Sequence, residues 1–200
     1  MTSHKSNEGP RRPIESAPGV LVHPAADRLL AAEHWLLSTH PRPKQARAEW
    51  ADRGAALLPL GTLFSAARIP GALVQAVAAT TEAGEIDAFL EDALSGPVIC
   101  NRRHHCYYAL LPASTPATWR DAADDWRTQD VDVLGRGCYL GVPPLTTAKA
   151  SRHKGDSYWS VPMPSPAILC QPLTVARLIA AGAHQLAEAA ESDKPRAVEP

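Results

Sequence analysis

Residues 96–112 constrain the fold more than any other part of the sequence. Two apolar runs rich in strand-forming residues flank a short polar turn at 101–103, a pattern that predicts a β-hairpin. The second run begins with His104 and His105. Because neighbouring side chains of a strand point to opposite faces, we expect one imidazole to face the open side of a sheet. Beside two arginines, that imidazole is a candidate anion-binding group, and a solvated surface hairpin is the simpler alternative.

The length and composition are those of one globular domain. The chain has 200 residues, 45% of them hydrophobic, and a formal net charge of −1, so it can bury a core but has no overall basic field for nucleic acid. Any polyanion site must therefore be local. We expect an unstructured tail at 1–22, a domain at 23–191 and a flexible tail at 192–200.

The cysteine and apolar patterns predict a cytoplasmic protein that does not enter a membrane. The first residues do not resemble a signal peptide, and no apolar run reaches the roughly 20 residues that span a bilayer. The cysteines lack CxxC spacing and are expected to be reduced thiols. A zinc site is one possible use of three of them with a histidine, but the spacing matches no common zinc pattern, and a free cysteine is usually a small core side chain. The residues considered for zinc are Cys100, His104, Cys106 and Cys138.

Helical and strand patterns occur in mixed order along the chain. They predict an α/β (α+β) fold, a single domain in which helices cover a mixed sheet that contains hairpins. A second hairpin is predicted where two strand-like runs flank the Gly-Arg-Gly turn at 135–137. The expected helices are 25–39, 41–53, one that begins at Pro70, 85–94, 115–126 and 174–191, and the expected strands outside residues 96–112 are 55–59, 62–66, 131–134, 138–142 and 157–161.

Three further segments follow one another in an order typical of one family. They are His105-Cys106-Tyr107-Tyr108, the run at 131–144 with its Gly-Arg-Gly turn, and Gly155-Asp156-Ser157-Tyr158-Trp159. Together they resemble the bifunctional DNA primase/polymerase N-terminal (prim-pol) domain of the archaeo-eukaryotic primase superfamily, in its diverged, short actinobacterial-type members. The entry segment at 43–61 is also similar, so the resemblance covers roughly residues 40–175.

The resemblance implies roles for individual residues. In the family, carboxylates hold two Mg²⁺ or Mn²⁺ ions for nucleotidyl transfer, and a histidine contacts the nucleotide phosphates. His105 matches that histidine and Asp132 matches a metal-binding acid, which makes them the catalytic positions. Arg102, Arg103 and Arg136 would complete a basic phosphate site. His105 and Asp132 would then lie on neighbouring strands, with their side chains on the same open face.

The family's first pair of acids has no counterpart in this chain. The pair should follow the turn at Gly61, but residues 53–81 contain no Asp or Glu, and Arg68 would repel divalent ions. We therefore expect a prim-pol-like nucleotide- or nucleic-acid-binding domain with impaired catalysis and no cofactor. With its metal partners missing, Asp132 is more simply a strand-edge carboxylate that pairs with Arg136.

Two alternatives stay open. One is an active DNA primase/polymerase that uses Mg²⁺ or Mn²⁺ and takes its acids from Glu82, Glu85 or Asp87. The other is a protein-interaction module without enzymatic activity that uses the same cleft for a partner protein.

The expected partners are phosphate-bearing ligands. A nucleotide or single-stranded DNA should bind weakly, and a replication or mobile-element protein is a further possible partner. Lys149, Arg152 and Lys154 lie in a basic stretch that could contact nucleic-acid phosphates, although such a stretch is more often simply solvated. Tyr158 and Trp159 follow it and are candidates for base stacking.

Overall fold

The strands and helices account for most of the residues that the structure describes. The computed structural model describes residues 14–17, 20–22, 25–145 and 156–192. The strands are β1 (Ile14–Ala17), β2 (Val20–Val22), β3 (Ala56–Pro59), β4 (Phe64–Pro70), β5 (Val98–Asn101), β6 (Cys106–Pro112), β7 (Asp132–Leu134), β8 (Tyr139–Val142) and β9 (Ser157–Val161). The helices are α1 (Ala25–Leu37), α2 (Pro43–Arg53), α3 (Gly71–Ala78), α4 (Ala83–Leu94), α5 (Thr115–Thr118), α6 (Arg120–Trp126) and α7 (Pro172–Ser192), and a 3₁₀ turn covers Arg127–Gln129.

A five-stranded sheet in the order β7-β4-β6-β5-β9 forms the centre of the fold. The α+β class and the hairpin of β5 with β6 are confirmed, with Cys100 opposite Tyr107. Every pairing among the described strands is antiparallel, so the sheet that we predicted to be mixed is an antiparallel one. Each edge of the sheet is a short strand, β7 or β9.

The predicted hairpin of β7 with β8 is wrong. β7 pairs with β4 inside the large sheet, whereas β8 pairs with β3 in a separate two-stranded ribbon. The reason is long-range packing, because Leu58 of β3 and Leu140 of β8 are buried together in a core that a local hairpin would not provide. The indole of Trp50 in α2 further anchors the ribbon by donating a hydrogen bond of 2.7 Å to the carbonyl of Val142.

The large sheet is covered on both faces, and each face has its own core. On one face, which we call the α3 face, side chains such as Ile69 and Tyr107 pack against α3, α4 and α7. On the other, which we call the ribbon face, Ala66 and Leu110 pack against α1, α2 and the β3–β8 ribbon. Because side chains alternate along a strand, neighbouring residues of β4 and β6 belong to different cores.

The helices on the α3 face approach one another closely. Gly182 of α7 lies directly against Leu73 of α3, and a Cβ atom at position 182 would overlap the leucine side chain. This contact holds α3 firmly between the sheet and α7. The start of α3, which borders the site described below, is therefore set by packing on two sides.

The strands β1 and β2 lie within segment 1–22, where the sequence predicts no regular structure, and they pair with each other. The rest of that segment and residues 193–200 lie outside the described part of the chain. None of the described helices has the length and apolar character needed to cross a bilayer.

Candidate functional site

The turn of the β5–β6 hairpin differs from its prediction. It comprises residues 102–105, and β6 begins only at Cys106. His104 and His105 are both exposed in the turn, so the expectation that one of them projects from a strand is wrong. The side chain of Asn101 extends the turn, because its Oδ1 accepts a hydrogen bond of 3.1 Å from the backbone N–H of His104. His105 then takes a left-handed conformation, with φ of 47°.

The turn is fixed in place by its neighbours. The carbonyl of His105 accepts a hydrogen bond of 2.7 Å from the N–H of Gly71, the first residue of α3, and the N–H of Arg102 donates to the carbonyl of Asp156 at 2.8 Å. A Cβ at position 71 would lie 2.8 Å from the His105 carbonyl oxygen. Glycine is therefore required where the helix meets the turn.

A cavity of about 280 Å³ lies between this turn and the N-terminal ends of α3 and α4. The structure brings two of the predicted phosphate-binding residues, Arg102 and His105, to its wall, and Arg103 is exposed in the same turn. The wall is partly polar, whereas the residues farthest from solvent are buried side chains of the sheet and of α4. The full lining is Gly71, Gln75, Thr81, Ala83, Ile86, Cys100, Asn101, Arg102, His105, Cys106, Tyr107 and Tyr158.

Arg102 is held by a short chain of contacts that ends in a buried acid. Its guanidinium lies 4.9 Å from the centroid of the Tyr158 ring, within the range of a cation–π interaction. The hydroxyl of Tyr158 donates to Oδ1 of Asp87 at 3.1 Å, and the hydroxyl of Ser160 donates to the same oxygen at 2.5 Å. Asp87 is only 3% exposed. The acid thus orients the tyrosine ring, and the ring positions the arginine.

Three ionisable groups in the wall of the cavity are neutral at pH 7. Burial raises the pKa of the Cys100 thiol above its usual value, and burial likewise raises the pKa values of the Tyr107 and Tyr158 phenols. All three groups therefore keep their protons. Below Arg102 the cavity offers apolar surface and neutral hydrogen-bonding groups.

Asp132 has a different role from the one that the resemblance implies. Its Oδ2 accepts hydrogen bonds from Arg68, at 3.0 Å from Nε and 2.6 Å from Nη2. The pairing with Arg136 is thus a wrong prediction, because Arg68 stands directly opposite Asp132 on the neighbouring strand. The hydrogen bond to Asp132 raises the pKa of Arg68, against a smaller opposing effect of burial. A carboxylate bound to a guanidinium in this way is poorly suited to hold a divalent cation.

His105 and Asp132 do not form the arrangement that the resemblance implies. β4 separates β6 from β7, so the two residues are not on neighbouring strands. Across the sheet, Arg68 is level with Asp132 on one side and with Tyr108 on the other, and His105 lies in the turn before β6. The resemblance to the prim-pol family consequently rests on the order of its motifs and not on an assembled site.

Arg136 is distant from the cavity. It lies against Gly61, where a Cβ would overlap the backbone of residue 136, at the start of β4. Gly71 and the turn lie beyond the other end of that strand. The seven residues of β4 span about 20 Å at the rise of an extended chain. The predicted pocket of four basic residues therefore does not assemble.

The two aromatic residues predicted to stack on bases are core residues. Tyr158 and Trp159 are each 1% exposed, and the indole of Trp159 donates to the carbonyl of Pro143 at 2.9 Å. Trp159 packs in the core of the ribbon face and cannot stack on a base, so that part of the prediction is wrong, whereas Tyr158 also lines the cavity. Lys149, Arg152 and Lys154, the remaining predicted nucleic-acid contacts, lie outside the described residues.

The acids named for an active polymerase, Glu82, Glu85 and Asp87, do not come together with Asp132. Glu85 accepts a hydrogen bond of 2.5 Å from Thr80, and Asp87 is buried beneath Tyr158. Both belong to α4 on the α3 face, whereas Asp132 lies on the ribbon face. Among the described residues no group of three or more His, Cys, Asp or Glu side chains could hold a metal ion.

Sequence reasoning named Asp87 only as a possible metal ligand and missed its structural role. A signal was present, because Asp87, Leu90 and Leu94 follow the spacing of one helical face, and an acid in an apolar stripe requires a buried polar partner. Gln75 and Thr81 were missed altogether. Their contribution depends on how α3 and α4 meet, for which the sequence carries no local pattern.

In comparisons with known proteins, no protein-family model, curated protein or solved structure matched this chain.

Proposed function

We propose that this chain is a cytoplasmic binding domain for a phosphate-bearing ligand, either a nucleotide or a short single-stranded nucleic acid. It binds without a divalent metal and does not carry out nucleotidyl transfer. The observation that supports this most is the cavity at the hairpin turn, where Arg102 and His105 border a partly apolar space of about 280 Å³. A guanidinium and an imidazole are donors suited to phosphate oxygens.

The surroundings of Arg102 favour anion binding. No carboxylate among the described residues forms a salt bridge with its guanidinium, which instead lies over the ring of Tyr158. Arg68, by contrast, already binds Asp132. Of these two arginines, Arg102 is the one whose charge is available to a ligand.

The same geometry argues against polymerase chemistry as part of the proposal. Two-metal catalysis needs several carboxylates around one pair of ions. Asp132 is bound to Arg68 on the ribbon face, and Asp87 is buried on the other face. A relation to prim-pol domains is thus proposed as common ancestry, in which the binding of a phosphate compound outlasted the metal site.

The test is a binding titration with and without metal. Fluorescence anisotropy with a labelled oligonucleotide, and calorimetry with nucleotides, are carried out in EDTA and in Mn²⁺. We expect binding in EDTA that weakens with salt, because phosphate contacts release counterions. Arg102→Ala should weaken it by about tenfold or more, the usual loss for a charge-assisted hydrogen bond.

Arg136→Ala and Arg68→Ala are the matched controls, since each removes one positive charge away from the cavity. Both should leave the affinity near that of the unchanged protein. Binding that requires Mn²⁺, or that is lost with Arg68→Ala and kept with Arg102→Ala, would overturn the proposal.

A non-enzymatic interaction module is the second candidate, and one observation favours it. Leu57 and Tyr139 project from the outer side of the β3–β8 ribbon and are 55% and 65% exposed. Large apolar side chains exposed together are a feature of interaction surfaces. If no phosphate compound binds, while Leu57→Ser with Tyr139→Ser abolishes a complex with a replication or mobile-element protein, this candidate replaces the first.

A further inference from the structure

We infer, on the basis of the proposed function, that the cavity takes one nucleoside monophosphate, with the base inside and the phosphate at the rim beside Arg102 and His105. The size of the cavity, the chemistry of its interior and the charges around its mouth together favour this ligand. They favour a mononucleotide over a triphosphate and over a nucleic-acid strand.

The size sets the first limit. Small-molecule sites usually enclose about 300–1,000 Å³, and this cavity, at about 280 Å³, lies just below the lower end of that range. It has room for one base with its sugar and not for a second nucleotide. A longer strand could therefore place only one of its units inside.

The interior suits a flat, neutral heterocycle. Ile86, Tyr107 and Tyr158 present buried apolar surface, and the two phenols are held in their neutral forms. Gln75 and Thr81 also line the cavity, and an amide and a hydroxyl can each donate to and accept from the edge of a base. A free inorganic anion would leave this surface unused.

The charges around the mouth favour one orientation of the ligand. Arg102 and His105 lie on the side of the hairpin turn and offer one guanidinium and one imidazole, which suit a single phosphate group. The side formed by the start of α4 carries an acid, because exposed Glu82 lies between the lining residues Thr81 and Ala83. A phosphate on that side, or a long triphosphate reaching it, would meet a negative charge.

The arginine is positioned before the ligand arrives. The ring of Tyr158 lies against its guanidinium, Asp87 holds the hydroxyl of that ring, and the backbone N–H of Arg102 is bonded to Asp156. Ordering a long side chain on binding lowers affinity, and here much of the ordering is already complete.

Calorimetry with five probes tests the inference: nucleoside monophosphates, the corresponding nucleosides and triphosphates, inorganic phosphate, and an oligonucleotide of the same base, all in EDTA. We expect the best monophosphate to bind at least tenfold more tightly than its nucleoside or than phosphate alone. The oligonucleotide should bind no more tightly, per molecule, than the monophosphate.

Two variants separate the base from the phosphate. Ala83→Leu fills part of the cavity and should weaken monophosphate binding at least tenfold, whereas Ala88→Leu, at an exposed position of the same helix, should not. Arg102→Ala should reduce the affinity of the monophosphate to that of its nucleoside.

The outcomes distinguish this inference from the proposed function. If triphosphate or oligonucleotide binds through Arg102 at least tenfold more tightly than any monophosphate, or if Ala83→Leu has no effect, the inference is overturned and the proposed function stands. If none of the phosphate compounds binds, both are overturned.

Discussion

Two arginines in this chain each depend on an acid, and they do so in opposite ways. Arg68 meets Asp132 directly, in a pair whose side chains are 37% and 42% exposed. Arg102 is connected to Asp87 through the ring and hydroxyl of Tyr158, and that acid is buried. Direct pairing occupies the arginine, whereas indirect support orients it and leaves its charge available. The comparison suggests that the position of the acid decides which cation can bind a ligand.

The largest expected difference between the two regions concerns stability. Asp87→Ala should lower the free energy of unfolding by about 3 kcal/mol, because it leaves the buried hydroxyls of Tyr158 and Ser160 without their acceptor. Asp132→Ala should cost less than about 1 kcal/mol, since its pair is half exposed. Urea denaturation measures both. Asp92→Ala, at an exposed position of α4, is the control and should have almost no effect on the free energy of unfolding. If Asp87→Ala destabilises the protein no more than Asp92→Ala does, the structural role given to Asp87 is wrong.

The next prediction concerns the close contact between Gly71 and the hairpin turn. Gly71→Ala places a Cβ 2.8 Å from the carbonyl oxygen of His105, so helix and turn must separate. We expect a loss of about 2 kcal/mol in unfolding free energy together with weaker ligand binding. Gly84→Ala, exposed in α4, should instead stabilise the protein slightly, by up to about 1 kcal/mol. If both variants behave alike, the turn is not anchored at Gly71.

A third test uses alkaline pH. Burial raises the pKa of Cys170 from 9.0 to about 12 on the α3 face, and burial raises that of Tyr108 from 10.0 to about 12 on the ribbon face. As the pH rises, each group loses its proton in the unfolded protein before it does so in the folded protein. The free energy of unfolding is therefore unaffected by these groups below pH 9 and falls as the pH rises towards 12, by up to about 1.4 kcal/mol per pH unit for each proton. Denaturation curves at pH 8 to 11 measure the slope. Cys170→Ala should flatten it from pH 9 upward, whereas Tyr108→Phe should change it only above pH 10, and a slope unaffected by either variant would contradict the assignment.

The smallest expected effect is the coupling of Arg68 with Asp132. A double-mutant cycle should give about 0.5–1 kcal/mol, decreasing with salt, as is usual for partly exposed ion pairs. The exposed pair of Arg127 with Asp124, at 2.9 Å, is the reference and should give less. A coupling of several kcal/mol would mean that the pair of Arg68 with Asp132 behaves as a buried ion pair, and the contrast between this pair and the buried Asp87 would then be wrong.

Local patterns predicted the elements of the fold well, but they did not predict which strands pair. The β5–β6 hairpin was correct because both strands and the turn are adjacent in sequence. The β7–β8 pairing was wrong because β4 and β3 compete for these strands and offer buried partners. Residue type suggested an anion site from two arginines and one of two histidines, and the family resemblance pointed to His105; the structure brings Arg102 and His105 to one cavity.

The contacts that hold the wall of that cavity in place could not be predicted from the sequence. Asp87 and Tyr158 are 71 residues apart, and no local rule connects them. Arg136 was grouped with Arg102 through the family resemblance, whereas β4 separates them by its whole length. Residue chemistry can thus be inferred one position at a time, but the distance between positions depends on the register of the sheet.

The β3–β8 ribbon has a consequence for how the chain folds. It joins residues 56–59 to 139–142, and the bond from Trp50 to Val142 spans 92 positions. Contacts of such long sequence separation slow folding, because a large loop must close before they form. During synthesis α1 and α2 emerge long before β8, so the core that they share with the ribbon stays incomplete until residues 139–142 have been made. The first half of the chain is therefore the part most exposed to aggregation or to chaperones before the protein is complete.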